Sequence, residues 1–321
     1  MTSWPKPRVV VSRCLGFEAC RYNGEILRQD FIERLRPHVE FVVVCPELEI
    51  GLGVPREPVR IVSERGALRL VQPKSGADCT EAMSRFCPRF LETAGDVDGF
   101  LLKSRSPSCG IRDVRVYPAA EKAAAIAKSA GFFGGAALAR FPHLAIEDEG
   151  RMLNRRLREH FLTKLFALAR WRRVKAARKM AALVSFHAAY KLLLMAYSEK
   201  ELRLLGPVVA NPARQPLESV FARYQSHFCA ALAHPPKYGS TRNALMHAFG
   251  HFSKGLTARE KRHFLALLEE FRAHRVALGG PLDVLRSWVV RFESRYLEGQ
   301  ALFEPFPGAL LDLRDSGRSA E

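Results

Sequence analysis

The sequence predicts an α/β doubly wound, Rossmann-like N-terminal domain followed by an all-α C-terminal domain. Two patterns lead there. Short β-rich runs alternate with helix-like segments up to about residue 149, and beyond that point the apolar spacing is almost continuously helical. The charge divides at the same place: residues 1–150 hold 21 Lys and Arg against 19 Asp and Glu, whereas residues 151–321 hold 29 against 14. The expected domains are therefore 1–149 and 150–321.

The first strand is RVVVS, Arg8 to Ser12, and a helix is expected over Gly24 to Leu35. EFVVV, Glu40 to Val44, is the second strand, followed by a Gly/Pro-rich loop (GLGVPREP) and two short β-rich runs, VRIV and LRLV. A helix over Thr80 to Thr93 leads into GFLLK, Gly99 to Lys103. Then come VRVY, an Ala-rich helix near Ala119 to Ala130, a glycine turn at Gly134-Gly135, a short helix, and a last strand around Leu144 to Ile146.

In the second half, His160 to Trp171 places Phe161, Leu165 and Leu168 on one face. Helices are expected over Ala182–Tyr197, Val220–Leu232, Asn243–Phe252, Ala258–Ala273 and Pro281–Tyr296, separated by short Gly/Pro breaks. Phe303-Glu304-Pro305-Phe306-Pro307 closes the packed region, and a frayed tail is expected from about Asp315. There is no internal repeat.

The hydrophobic fraction of 48% is that of a soluble globular chain, and no segment approaches the roughly 20 apolar residues that span a bilayer. The opening MTSWPKP lacks the apolar run of a secretion signal, so a reducing cytoplasm is the expected location. Seven cysteines, an odd number without framework spacing, fit free thiols or metal ligands there.

Cys14, Cys45 and Cys109 each fall in a loop after a β-rich run, at the edge of an open parallel sheet where ligands bind. Three converging thiols suggest a soft metal centre, and three rather than four leave one metal position open. Cys79 and Cys87 lie at the start and middle of a helix, and Cys229 sits in an apolar helix as an inert thiol. Cys20 shares the Cys14 loop, as a spare ligand or a nearby thiol. Lys103-Ser104-Arg105-Ser106-Pro107-Ser108-Cys109-Gly110 offers two cations and three hydroxyls to an anionic cluster or polar substrate. Glu47, two residues past Cys45, is either an acid/base beside a metal-bound atom or a structural partner of Arg56 or Arg105.

From Arg151 to Lys179 there are eleven Lys and Arg and one acid, Glu159, with Phe161, Phe166 and Trp171 interleaved. Such a stretch suits neutralisation of a nucleic-acid backbone with occasional base stacking, although core packing is favoured for Phe161 and Phe166; a merely solubilising basic surface is the competing view. His247 and His251 stand at i and i+4 with no third ligand nearby, which favours packing or RNA contact over a metal.

The segments SRCLGFEACRYNGE, CPELEIGLGVPREP and LLKSRSPSCG resemble, in order and spacing, the three signature loops of the thiouracil desulfidase family, over roughly residues 6 to 147. The resemblance implies a 4Fe-4S cluster held by Cys14, Cys45 and Cys109 with one iron free of protein ligands, and catalytic roles for Glu47 and Ser106. Cys20 and the run Ala77-Asp78-Cys79-Thr80 depart from the family pattern. HFLTKLFALARW, SFHAAYKLLLMAYS, RNALMHAFGHF and YLEGQALFEPFP resemble the helical domain of bacterial tRNA 4-thiouridine desulfidases, which implies a domain that presents tRNA to the cluster. Arg155, Arg156, Arg170, Arg172, Arg173, Lys237 and Arg242 are the candidate RNA contacts. The expected activity is conversion of 4-thiouridine in tRNA to uridine with release of sulfide. The alternatives are a desulfidase of free thiobases such as 2-thiouracil and a non-catalytic, cluster-containing RNA-binding sensor.

Overall fold

The computed structural model describes residues 4–120 and 123–311. The described residues of Met1–Ala169 and Ala309–Glu321 form one compact unit and Arg170–Gly308 a second.

In the first unit the chain runs β1 (Arg8–Ser12), α1 (Asp30–Leu35), β2 (Glu40–Val44), α2 (Pro46–Glu49), β3 (Arg60–Glu64), β4 (Ala67–Val71), α3 (Thr80–Thr93), β5 (Gly99–Leu102), β6 (Val114–Tyr117), β7 (Ala127–Ser129), α4 (Phe132–Arg140) and β8 (Ala145–Asp148). Four strands make an all-parallel sheet in the order β2-β1-β5-β8, with Val10 opposite Val42 on one side and Phe100 on the other. The two central strands, β1 and β5, are apolar because both faces are covered: Val9, Val10, Val11, Phe100, Leu101 and Leu102 are all sealed from solvent. The chain steps from β1 outward to β2 and returns to the far side of β1 at β5. That reversal opens a crevice beyond the carboxyl ends of β1 and β5, where such sheets bind their ligands.

VRIV, LRLV and VRVY build a separate mixed sheet, β4-β3-β6-β7, with β3 antiparallel to β4 and parallel to β6. Two expected helices are corrected. The helix from Gly24 starts only at Asp30: Gly24 (φ +74°) closes a turn onto Arg21, and the Leu27 amide donates to the Cys14 carbonyl, which holds this stretch against the cysteine loop. The Ala-rich stretch supplies β7 instead of a helix, because Ala127–Ser129 pairs antiparallel with β6 and sheet pairing outweighs alanine's helix propensity. Glu121 and Lys122, and the tail from Asp315, lie outside the described residues. Gly134 and Gly135 are not a turn; they belong to the first turns of α4.

The helices that follow are α5 (Arg155–Ala177), α6 (Met180–Tyr197), α7 (Glu199–Ala210), α8 (Leu217–Ala231), α9 (Tyr238–Gly250), α10 (Ala258–Arg272), α11 (Gly279–Arg291) and α12 (Arg295–Glu298). The first turns of α5 pack with the strands, since Leu165 lies against Gly99 and the Phe166 ring sits 5.6 Å from Trp4. In the second unit, Trp171, Phe186, Tyr190, Tyr224 and Phe228 form one aromatic core, and Phe249, Phe252, Phe264 and Trp288 another. Among the described residues one helix has the length and composition to cross a membrane, α6, with mean hydropathy 1.4 over 18 residues. Its Leu183, Phe186, Tyr190 and Leu192–Leu194 are buried in this core, as expected of a central helix.

Candidate functional site

The crevice at the carboxyl ends of the parallel strands is a cavity of about 690 Å³ that Cys14, Cys20, Cys45, Glu47, Ser106 and Cys109 all line. β1 delivers Cys14 two residues past its end, β2 delivers Cys45 directly, and β5 delivers Cys109 through the Lys103–Gly110 loop. The structure thus brings the three expected thiols into one cavity, together with Cys20. The Cys20 thiol is within hydrogen-bonding reach of both Cys14 and Cys45.

Three of these thiols, Cys20, Cys45 and Cys109, hold their protons more tightly than a free cysteine. Cys20 is pushed up to about 11, chiefly by its hydrogen bond with Cys14. Cys45 is raised because it keeps the proton of its bond with Cys20, and burial adds to this. Burial raises Cys109, with the Ser12 and Ser106 hydroxyls beside its sulfur working in the opposite direction. Metal binding here would therefore displace protons. Among the described residues no three His, Cys, Asp or Glu side chains converge closely enough to hold a single ion. A polynuclear iron-sulfur cluster draws its thiolates from around a cavity, one to each ligated iron, and the soft thiols of Cys14, Cys45 and Cys109 fit that kind of group.

Glu47 resolves onto its structural partner as well as into the cavity. Its Oε2 accepts from Arg56 Nε at 2.7 Å and forms an ion pair with Arg56 Nη2 at 2.7 Å, and its Oε1 accepts from Ser108 Oγ at 2.8 Å. Both members of the pair are buried, at 12% and 6% side-chain exposure. Arg56 also donates to the Cys20 carbonyl at 3.0 Å, which ties the Cys20 loop to the carboxylate. The Ser106 hydroxyl accepts from the amides of Ser108 and Cys109, at 3.2 and 3.1 Å, and so shapes the turn that presents Cys109.

The Lys103–Gly110 loop is pinned from two sides. Glu149 accepts from the Ser104 amide at 2.6 Å, from the Ser104 hydroxyl at 2.7 Å and from the Lys103 ammonium. The amino end of α4 supplies the other side: the amides of Gly131, Phe132, Phe133 and Gly134 donate to the carbonyls of Gly110, Pro107 and Ser108. A Cβ at Gly134 would meet the Gly110 carbonyl oxygen at 2.3 Å, so only glycine permits this approach. Asp148, buried at the carboxyl end of β8, lines the cavity and accepts from the Arg151 amide at 2.9 Å; burial raises its pKa. Ser12, Asp148 and Glu149 were not singled out from the sequence, whereas Arg56 was named there as a possible partner of Glu47 and Ser108 as one of the loop hydroxyls. The signal for all three was the one that found the cysteines, since Ser12 ends β1, Asp148 ends β8 and Glu149 follows it.

The remaining candidates lie elsewhere. Cys79 flanks α3 and Cys87 is buried within it, its thiol pushed up to about 12 by burial; neither lines the cavity. Cys229 is buried in α8, as expected of an inert thiol. Phe161, Phe166 and Trp171 are all core residues, so the aromatic side of the basic stretch packs inward and offers no stacking face. Arg158 and Lys164 of that stretch are buried too. Of the candidate RNA contacts, Arg156, Arg173 and Lys237 are exposed and Arg172 is half-buried. Arg155 pairs with Glu159 and Arg242 with Glu269, each at 2.7 Å, while Arg170 approaches the buried Tyr190 hydroxyl. His247 and His251 are exposed on α9, and the His251 ring lies 5.2 Å from Tyr296.

Comparison with known proteins divides the chain in the same order. Residues 9–149 match the family model described as 2-thiouracil desulfurase, and residues 191–307 one described as protein of unknown function DUF1722. The uncharacterized protein YbgA of Escherichia coli (strain K12) is 32% identical over 158 residues, which is 49% of this chain and 93% of YbgA. The uncharacterized protein YbbK of Bacillus subtilis (strain 168) is 36% identical over 109 residues, 32% of this chain and 72% of YbbK. The solved structure of TudS, a [4Fe-4S]-dependent thiouracil desulfidase, aligns at 26% identity over 46% of this chain and 93% of its own, with a TM-score of 0.36. With its cysteine-lined crevice inside the matched segment, the chain belongs to the 2-thiouracil desulfurase family, extended by a DUF1722 domain.

Proposed function

We propose that this protein is a 4Fe-4S-dependent, non-redox desulfidase that converts 4-thiouridine in tRNA to uridine with release of sulfide, with residues 1–149 catalytic and 150–321 binding tRNA. The observation that carries the chemistry is the convergence of Cys14, Cys45 and Cys109 with Glu47 in one cavity of a 2-thiouracil desulfurase domain. Held by those three thiolates, the cluster would supply an open iron that acts as a soft Lewis acid toward thiocarbonyl sulfur. The protein's own part is geometric and protonic. Glu47, fixed by Arg56 and Ser108, takes the proton of the attacking water, and the Ser106 loop orients the base. Water adds at the thiocarbonyl carbon and sulfur leaves as hydrogen sulfide, so no electrons are exchanged with an external donor. Free thiols of this kind persist in a reducing compartment, which is where the reading places the enzyme.

The polymer substrate is supported by charge, with 29 Lys and Arg against 14 Asp and Glu after residue 150. The family description favours a second reading, in which free 2-thiouracil is the substrate. Anaerobic reconstitution with iron and sulfide, incubation with thiolated tRNA or with 2-thiouracil, and nucleoside and sulfide analysis separate the two. Loss of 4-thiouridine from tRNA is expected; turnover confined to the free base would replace the tRNA reading, and sulfide from neither would end both. Cys14→Ala, Cys45→Ala and Cys109→Ala should each lose cluster absorbance, while Cys229→Ala keeps it.

A further inference from the structure

Four thiols line the cavity, and the function proposed for it uses three. The fourth, Cys20, is 1% exposed and lies within hydrogen-bonding reach of both Cys14 and Cys45. The local course of the chain puts it there. The amides of Phe17 and Glu18 both donate to the Arg13 carbonyl, at 3.2 and 3.1 Å, and Gly16 takes a φ of +87°, so the chain after Cys14 curls back on itself. The Cys20 amide then donates to the Glu18 carbonyl at 2.9 Å. Its carbonyl accepts from Arg56 at 3.0 Å, and that of Cys14 accepts from the Leu27 amide at 2.8 Å. The backbone is thus fixed on both sides of the Cys14–Cys20 contact, and side-chain rotation is enough to bring the two sulfurs from contact to the bonding distance of about 2 Å.

Access separates the two members of the pair. Cys14 is half-buried, whereas Cys20, Cys45 and Cys109 are buried. A small disulfide entering the cavity therefore meets Cys14 first, and the thiol already placed to attack the resulting mixed disulfide is Cys20. An accessible thiol backed by a buried resolving thiol is the arrangement of redox-responsive cysteine pairs. Cys45 also reaches Cys20, but its burial keeps an oxidant from arriving there first.

We propose that Cys14 and Cys20 are a modification site, oxidised to a reversible disulfide in the cluster-free protein, and that this disulfide closes the cavity to cluster loading. The bond itself stands on the contact between the two thiols; its effect on loading rests on the reading that Cys14 holds the cluster. The Cys14 thiolate attacks one sulfur of a low-molecular-weight disulfide and expels a first small thiol. Cys20 then attacks the Cys14 sulfur of the mixed disulfide and expels the second. Two protein thiols are oxidised, one small disulfide is reduced, and the two protons of Cys14 and Cys20 leave on the two small thiols released. Excess small thiol runs the exchange backwards. A ligand held in this bond is withdrawn from oxidation to sulfinic and sulfonic acid, which thiols do not reverse.

The test incubates full-length, cluster-free protein with oxidised glutathione under anaerobic conditions, then alkylates, digests with trypsin and maps the peptides by mass spectrometry. Cleavage after Arg13 and Arg21 leaves both thiols on one peptide, CLGFEACR, which in wild type should be two hydrogens lighter and refuse the alkylating reagent. Cys20→Ser, with an unchanged melting temperature showing that it folds, should stop at glutathione on Cys14, and Cys45→Ser should still form the bond. A glutathione adduct that persists on Cys14 in wild type, a bond from Cys20 to Cys45 instead, or no reaction at Cys14 would each overturn the site. Oxidised wild type, freed of glutathione, should fail to gain cluster absorbance from ferrous iron and sulfide for as long as the map shows the bond, and should gain it after reduction with dithiothreitol. Reduced Cys20→Ser should load as reduced wild type does; loss of loading there would make Cys20 a ligand and overturn its role as resolving thiol. Normal loading with the bond intact would overturn the block. No cluster in reduced wild type would sink the desulfidase reading and the block with it, while the peptide map still decides the disulfide.

Discussion

Glu47 has both oxygens engaged, and this sets what its substitution does. Removing the carboxylate (Glu47→Ala) should lower turnover by about 10²- to 10⁴-fold, the usual worth of a positioned acid/base, read by initial sulfide release. Arg56→Gln should be mainly a stability defect. It leaves a carboxylate of 12% exposure without its charge partner, a change that costs about 3–5 kcal/mol in a buried pair, measured by chemical denaturation. Ser106→Ala should impair cluster retention as well as rate, because the hydroxyl both orders the Cys109 turn and lies beside the Cys109 sulfur. Asp148 gives a pH signature. Burial raises its folded pKa above the unfolded value, so the native state holds the proton longer, and stability declines as pH climbs from the ordinary Asp range through the raised value. Asp148→Asn keeps an acceptor for the Arg151 amide and has nothing to ionise. Its melting temperature should therefore gain on wild type between acidic and neutral pH; a constant difference across that range would show that Asp148 titrates normally.

At the scale of elements, the contact between α4 and the Cys109 loop can be probed with two neighbouring glycines. Gly134→Ala drives a methyl against the Gly110 and Cys109 carbonyl oxygens, at 2.3 and 2.5 Å, and should displace the loop, lowering both the melting temperature and cluster absorbance. Gly135→Ala finds its nearest neighbour, the Ala130 Cβ, at 3.4 Å and should be neutral or stabilising by up to about 1 kcal/mol. None of this was legible in the sequence, where Gly134-Gly135 reads as a turn, because local composition does not reveal which backbone lies across from a glycine. The two central parallel strands, β1 and β5, were legible because burial on both faces writes continuous apolar runs. α7 was not: Gly206-Pro207 reads as a break, yet the helix runs through it, started by the Ser198 hydroxyl accepting from the Glu201 amide. The cysteine triad was legible from its position after strands, and the Cys20 contact was half legible, since a shared loop says nothing about which way a thiol turns.

For the whole molecule, the excess of cations after residue 150 predicts tRNA affinity that falls steeply with salt. Filter binding across a salt series should show that reversing Arg173 and Lys237, which are exposed, weakens binding more than reversing Arg155 and Arg242, which are engaged with Glu159 and Glu269. A chain ending at Ala169 should melt well above one ending at Glu149, because Phe161, Leu165 and Phe166, each at most 1% exposed, go with the shorter cut. The reversal of direction between β1 and β5 also imposes an order in time. Val10 meets Phe100 only after some ninety further residues have been made, so the three thiols are scattered on an open chain until β5 docks. Cys109 precedes α5 to α12 in the chain, so it leaves the ribosome before any of these helices. The thiol set can therefore be completed on the ribosome, before most of the basic helices exist.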